Sequence, residues 1–328
     1  MYYRHREPKH YELCSDDTLH VIAVISNPVM YATRYRLAEQ FIQHMAEFPE
    51  VRLTVVEHAF GDRHFEVIDR SSETHVRVRG SHEIWLKENL VNIGLRHLPP
   101  NWRYVSWVDA DVRFLNPDWA RETLHALQHY AVVQPFEGAV DMGPHNNVFD
   151  SYSSFAKEFV NGSPPTILAR SGYYSMYGKK PYAHPGYAWA ARREFINNVG
   201  GLLDFAIVGA GDHHMALSMV GQAAASIPEK DIHSRYVARV LEWERCALKA
   251  NMNIGYVRGT IAHHWHGPKA RRQYWKRWDI LTENGFNPDT DLAYDAQGLL
   301  LLTNTNPRLR DALRAYFRQR NEDSRDED

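Results

Sequence analysis

Apolar and polar positions recur at two different periods along the first half of the chain, and the switches between them mark out its elements. "LHVIAVIS" (Leu19–Ser26) is almost continuously apolar and β-branched, as a strand buried on both faces would be. "ATRYRLAEQFIQHMAEF" follows with apolar positions at helical spacing, and "VRLTVVEHAF" returns to a strand. "SHEIWLKENLVNIGLRHL" reads as a second amphipathic helix, with Ser81 as its N-cap and Glu83 in its first turn. The strand "RYVSWV", the helix "PDWARETLHALQHY" with proline at its start, and the strand "AVVQPF" complete a βαβαβαβ series. Such alternation predicts an α/β fold: a Rossmann-like, mostly parallel sheet flanked by helices, with ligands at the carboxyl ends of its strands.

Between residues 137 and 185 the periodicity lapses into Gly, Pro, Asn and Tyr. Long surface loops with one short helix between them are predicted there, and long loops in a compact domain are more often functional than idle. Regular patterning resumes at "YAWAARREFINNVGGLLD", with helices predicted over "DHHMALSMVG", "HSRYVARVLEWERCALKA" and "NPRLRDALRAYFRQR". The closing "NEDSRDED" is predicted to fray. No internal repeat or low-complexity linker interrupts the chain. The simplest division is one domain over residues 1–267 and a C-terminal helical extension, 268–328, packed on it and disordered at its last residues.

Composition narrows the class. The 328 residues are 44% hydrophobic and 24% charged, as in an ordinary soluble globular protein. A formal net charge of −2 excludes a global polyanion-binding surface, so any nucleic-acid contact must be a local patch. Cys14 and Cys246 are far apart and lack Cys-x-x-Cys spacing, which suits reduced thiols in a cytoplasmic setting. The N-terminus has no apolar leader and no run reaches membrane-spanning length, so neither secretion nor a membrane anchor is expected. No obligate protein partner is signalled.

Candidate chemistry sits at the ends of the predicted strands. "RYVSWVDADVRFLNP" closes on Asp109 and Asp111, which strand alternation places on one face. Two such carboxylates repel unless a cation joins them, and a hard divalent ion with positions open to phosphate oxygens fits. Aspartate is also common in strand-ending turns. In "GAGDHHM", Asp212 falls at a predicted helix start, as a general base or as a simple N-cap. "IAHHWHGPK" offers three imidazoles, His263, His264 and His266; spacing does not choose among them. Arg34 and Arg36, after the first strand, are available for a nucleotide's base or phosphate, or form a solvated helix face. Glu57, ending the second strand, could accept from a base or a ribose hydroxyl.

Further along, Lys269, Arg271, Arg272, Lys276 and Arg277 are interleaved with Tyr274, Trp275 and Trp278. These cations could meet phosphates while the aromatics stack on bases, or the run could be an amphipathic helix with solvated cations. In "SGYYSMYGKKPYAHPGYAW", Tyr173, Tyr174, Tyr177, Tyr182, Tyr187 and Trp189 could wall a pocket for a flipped base or a sugar face.

Taken in order, "WVDADVRF", "GYAWAARREFINNVGGLLDFAIVGAGD" and "AHHWHG" resemble the GT-A nucleotide-sugar glycosyltransferases. The resemblance implies a GT-A fold, a divalent metal (manganese or magnesium) and a nucleotide-sugar donor such as a UDP-sugar. It places Asp111 on the metal with His263 or His266, because resembling sequences run His-x-x-His-Gly. Asp109 would then assist through the ribose or a metal-bound water. Arg34, Arg36 and Glu57 would hold the nucleoside, Lys269 would neutralise the leaving diphosphate, and Asp212 would be the base of an inverting transfer. "HHWHGPKARRQYWKRWDIL" and "YFRQRNED" also resemble a set of phage-type GT-A proteins. Some relatives of that set are associated with glycosylation of hydroxymethylated pyrimidines in DNA. That implies a DNA acceptor in the host cytoplasm of an infected bacterium, with Tyr187 and Trp189 walling the base and Arg272 and Arg277 on phosphates. A glycan or small-molecule acceptor is the alternative, and a non-catalytic nucleotide-sugar or nucleic-acid binding protein is a further one.

Overall fold

The computed structural model describes residues 18–67, 74–164, 183–249 and 253–326. The first stretch of chain forms β1 (Leu19–Ser26), α1 (Ala32–Met45), β2 (Val51–Phe60), β3 (His75–Gly80), α2 (Lys87–Arg96), β4 (Tyr104–Val108), β5 (Val112–Phe114) and α3 (Trp119–Ala126). There follow β6 (Val132–Gln134), β7 (Gly138–Met142), β8 (Val148–Ser154), α4 (Phe155–Val160), β9 (Ala183–His184), β10 (Ala188–Arg192) and α5 (Arg193–Val199). The remainder comprises α6 (Gly211–Met219), α7 (Ser234–Lys249), β11 (Ile254–Tyr256), β12 (Thr260–His263), α8 (Asp279–Glu283), β13 (Leu292–Tyr294), β14 (Leu300–Leu302) and α9 (Pro307–Gln319).

Seven strands form the central sheet in the order β11-β6-β10-β4-β1-β2-β3. The pairs β1–β2, β1–β4, β2–β3 and β6–β11 are parallel, and β10 runs antiparallel between β4 and β6. This is the mostly parallel, helix-flanked sheet that the pattern predicts. Its two faces bury different residues of the same strand. Ile22 packs with Leu90 of α2 and Leu217 of α6, while Val21 and Ala23 pack with Phe41 of α1 and Trp119 of α3. Coverage on both faces is why β1 and β4 read as nearly continuous apolar runs.

A second sheet, β5-β12-β7-β8-β9, stands at the carboxyl end of β4. It corrects the expectation of loops between residues 137 and 185. There β7 and β8 form an antiparallel pair, and β12 adds to β7 in parallel. Burial along β7 "GAVDM" alternates, but only Ala139 and Asp141 are its buried residues, so the strand has almost no apolar signature. The helix predicted from Ser81 begins six residues later at Lys87, so Ser81 is not its N-cap. The intervening segment is irregular and is tied down by the Trp85 amide, which donates to the Ile207 carbonyl at 3.0 Å. Tyr173, Tyr174, Tyr177 and Tyr182 lie outside the described residues.

The C-terminal tail differs from expectation as well. Through Ser324 it is held against the domain: the Asp323 carboxylate accepts from the amides of Ala32 and Thr33 at the start of α1, at 3.0 and 2.8 Å, and the Trp265 indole donates to the Ser324 carbonyl at 2.8 Å. Among the described residues no helix is long and apolar enough to cross a membrane.

Candidate active site

The short strand β5 begins directly after Asp111 and pairs antiparallel with β12, setting His263 opposite Val112. On its other side β12 pairs with β7, which sets His263 opposite Asp141. Sheet register thus brings together three residues far apart in sequence. His263 Nδ1 lies 2.8 Å from Asp141 Oδ1, and its Nε2 lies 3.2 Å from His266 Nε2 and 3.7 Å from Asp111 Oδ1. His266 Nε2 is 3.1 Å from Asp111 Oδ2.

This arrangement fits a metal. The ligand atoms of Asp111, His263 and His266 all lie within 4.8 Å of one another. Asp111 Oδ1 is buried with no hydrogen-bond partner among the described residues. With its Nδ1–H donated to Asp141, His263 presents an Nε2 lone pair toward that of His266, and two facing lone pairs beside a carboxylate call for a cation. Burial, then Arg272, pulls the His266 imidazole down to about 3, which keeps it neutral and able to ligate. Burial opposes ionisation of Asp111, but with both imidazoles neutral the Arg34 and Arg272 guanidiniums still pull its carboxyl below the usual value. Arg272 Nη2 also lies 3.1 Å from His266 Nε2, so a guanidinium supplies part of the positive charge these groups face.

Asp109 turns to a different neighbour. Its amide donates to the Tyr187 carbonyl at 2.8 Å, and its carboxylate pairs with Lys87 at the first turn of α2. Burial pushes the Asp109 carboxyl up against the pull of Lys87. The charges of Asp109, Asp212 and Glu88 overcome the burial of the Lys87 ammonium and raise its pKa. Asp212 is the second residue of α6, whose N-cap is Ala210, so the simple capping role does not apply to it. Ala210 (φ 78°) and Tyr187 (φ 74°) both adopt the left-handed conformation on the wall of this cavity. Non-glycine residues held there carry local strain of the kind that gathers at functional sites. Gly186 is required, because a Cβ there would meet Asp212 Oδ2 at 2.6 Å.

These groups line one cavity of about 470 Å³, of the size that small-molecule sites occupy. Arg34, Lys269, Arg272 and Arg277 line it too. Lys269 pairs with Asp141 and donates to the Tyr152 hydroxyl at 2.7 Å. Burial works against ionisation of Asp141, yet His263 and Lys269 hold its carboxyl far below the usual carboxylate range. Arg34 makes a two-pronged contact with Glu322, Nη2 donating to Oε1 at 2.9 Å. Arg320 and Arg34 likewise hold the buried Glu322 carboxyl well below its ordinary value.

Asp109, Asp111, Asp212, His263, His266, Arg34, Lys269, Tyr187, Arg272 and Arg277 therefore share the cavity wall. Other expected residues do not. Arg36 is exposed on α1, the solvated face its neighbours allowed. Glu57 is 2% exposed and accepts the Glu66 amide at 2.6 Å, so it closes a turn behind the sheet edge. Trp189 is core: its indole N–H donates to the Pro185 carbonyl at 2.7 Å. His264 is not part of the convergent group. Arg272 and Arg277 stand on two single-turn 3₁₀ segments and face the cavity, where a continuous amphipathic helix was one expectation. Tyr187 is a wall residue, stacked on His184 at 3.8 Å, and its hydroxyl donates to Asp141 Oδ1 at 2.7 Å.

Sequence reasoning missed Asp141, Glu88 and Glu322, which carry no local signal. Lys87 was legible beside the nucleoside loop, as the first-turn cation of a helix whose other side packs on the sheet.

No protein-family model matches the sequence, and no curated protein matches it. Among solved structures, the chain is similar to the catalytic domain of Drosophila β1,4-galactosyltransferase 7 in complex with xylobiose. Identity is 13% and the TM-score 0.41, over 89% of this chain and 98% of that one. A mannosyltransferase from Pyrobaculum calidifontis, in complex with GDP-Man and Mn2+, is 16% identical with a TM-score of 0.44, over 92% of this chain and 69% of that one. S. aureus TarS 1-349 in complex with UDP is 12% identical with a TM-score of 0.44, over 80% and 65%. Likenesses at this level carry no functional argument.

Proposed function

We propose that the protein is a glycosyltransferase that moves a sugar from a nucleotide-sugar donor to a hydroxyl acceptor, with manganese or magnesium as its metal. The observation that carries this reading is the convergence of Asp111, His263 and His266 on the wall of a cavity shared with Asp109, Asp212 and several cations. Asp111, His263 and His266 would hold the metal, which when bound supplies positive charge to the donor's diphosphate. Asp109, fixed by Lys87, orients the ribose side of the donor. Arg34, Lys269 and Arg272 take the oxygens of the departing nucleoside diphosphate, where charge grows as the glycosidic bond breaks. Asp212 accepts the proton of the acceptor hydroxyl as its oxygen bonds to the anomeric carbon. A single displacement of this kind inverts that carbon.

Facing Arg272 and Arg277 into the cavity commits to the donor two of the cations that a DNA backbone would use. A hydroxymethylated pyrimidine in DNA is the acceptor that the sequence resemblance implies, and Arg271 and Lys276 are exposed cations that could contact its backbone. A glycan or small-molecule hydroxyl needs only the cavity.

Incubation of the protein with a panel of nucleotide sugars and manganese tests the reading. One donor should be hydrolysed slowly, and a chelator should stop it. Hydroxymethylcytosine and hydroxymethyluracil oligonucleotides, assayed beside simple sugars, decide the acceptor; DNA transfer should weaken steeply with salt. Binding of no nucleotide and turnover of no donor would overturn the proposal.

A further inference from the structure

Of residues 321–324, Glu322 turns into the cavity wall. Glu322 is 3% exposed. Its Oε1 accepts from Arg34 Nη2 at 2.9 Å and lies 2.9 Å from Arg320 Nε, while Oε2 receives Arg34 Nε and lies 3.8 Å from His266 Nδ1. The backbone around it is held on both sides. The Asn321 amide donates to the Tyr31 hydroxyl at 3.0 Å, the Trp265 indole donates to the Ser324 carbonyl at 2.8 Å, and Asp323 caps α1. Gly267 makes room for it, since a Cβ there would meet Glu322 Cα at 2.8 Å and the Asn321 carbonyl at 2.9 Å.

A carboxylate stands on the Nδ1 side of each histidine, at different range: Asp141 Oδ1 is hydrogen-bonded to His263 at 2.8 Å, and Glu322 Oε2 lies at ion-pair distance from His266, 3.8 Å. His263 turns Nε2 toward Asp111 and Nδ1 toward Asp141; His266 turns Nε2 toward Asp111 and Nδ1 toward Glu322. A carboxylate that accepts from the second ring nitrogen fixes the tautomer and direction of a ligating imidazole, and one at ion-pair distance favours the ring orientation by its charge. We infer that the C-terminal tail is a working part of the site, with Glu322 as the positioning residue for His266 and Arg34. This rests on the metal-site reading above. It makes the last turn of chain a determinant of metal and diphosphate affinity, although Glu322 touches neither.

Manganese binding to the full-length chain without nucleotide, followed by the EPR signal of free Mn2+, tests this together with UDP binding and the metal-free thermal midpoint. Glu322→Gln should weaken manganese on the order of 10-fold or more, and UDP should weaken as Arg34 loses its fixed direction. Asp323→Ala, which loosens the tail without touching Glu322, should move both affinities the same way by a smaller factor. A Glu322→Gln protein with a lowered midpoint and wild-type manganese affinity would overturn the inference, leaving a purely structural ion pair. Should Glu322→Gln fail to fold, Asp323→Ala decides. Unchanged manganese affinity alongside faster amide exchange over 321–324 would overturn it equally. A wild-type chain that binds no manganese would overturn the metal-site reading, and this inference with it.

Discussion

Lys87 allows Asp109, Asp212 and Glu88 to lie in one cavity, because a single ammonium faces all three carboxyl groups. With Asp109 paired directly to Lys87, Asp212 is the carboxylate that the proposed function assigns to the acceptor. Asp212→Asn is expected to cost on the order of 10²–10⁴-fold in turnover while donor binding changes little. Steady-state rates and UDP titration on the same preparation would check this, and an Asp212→Asn enzyme at full speed would remove the role. Glu88 supplies a pH prediction. Burial, with the Asp212 charge adding to it against the pull of Lys87, pushes its carboxyl from 4.5 up to about 7. The folded chain then holds that proton more tightly than the unfolded one. Its stabilising contribution is complete below about pH 4.5 and is lost as pH rises through 7. Glu88→Gln should flatten this part of the stability profile, a difference on the order of 1–3 kcal/mol. Melts of both proteins between these pH values would reveal it, and parallel profiles would contradict it.

Elements buried on both faces were legible because burial leaves a sequence record. The observed bounds of β1 and β2 coincide with the apolar runs that predict them. Half-buried elements left less. The β3 strand "HVRVRG" buries one residue of six, and β7 offers a buried aspartate where an apolar side chain would have signalled a strand. Segment 81–86 misled for the opposite reason: Ile84 and Leu86 are apolar at helical spacing from α2, yet they pack from an irregular, non-helical backbone. The element that matters most to the site is the shortest. β5 has three residues, and its register against β12 fixes Asp111 beside His263. Its Phe114 stacks flat on Trp119 of α3 at 3.7 Å, and Trp119 is fully buried. Trp119→Ala should cost about 3–5 kcal/mol of stability, read by urea unfolding. It should also weaken manganese binding, because β5 loses its backing; a destabilised variant with unchanged metal affinity would separate β5 placement from this packing.

At the scale of the whole molecule, the site is where several distant parts of the chain meet. Asp109, Asp111, Asp212 and the histidines were legible because each falls at the end of an element and within a short motif. Asp141 and Glu322 were not, since they meet their partners across 122 and 288 residues, distances over which sequence carries no pattern. The same topology turned cations expected on an exposed patch inward to the cavity. On the proposed function the cavity takes a divalent ion at Asp111, His263 and His266 beside a diphosphate, and the two should be coupled. Calorimetric titration of UDP into the wild-type and Asp111→Asn proteins, each with manganese and with chelator, measures that coupling directly. The structure predicts UDP binding that depends on manganese in the wild type and is lost in Asp111→Asn, with the fold of both intact. UDP affinity that is the same with manganese and with chelator, in both proteins, would contradict it.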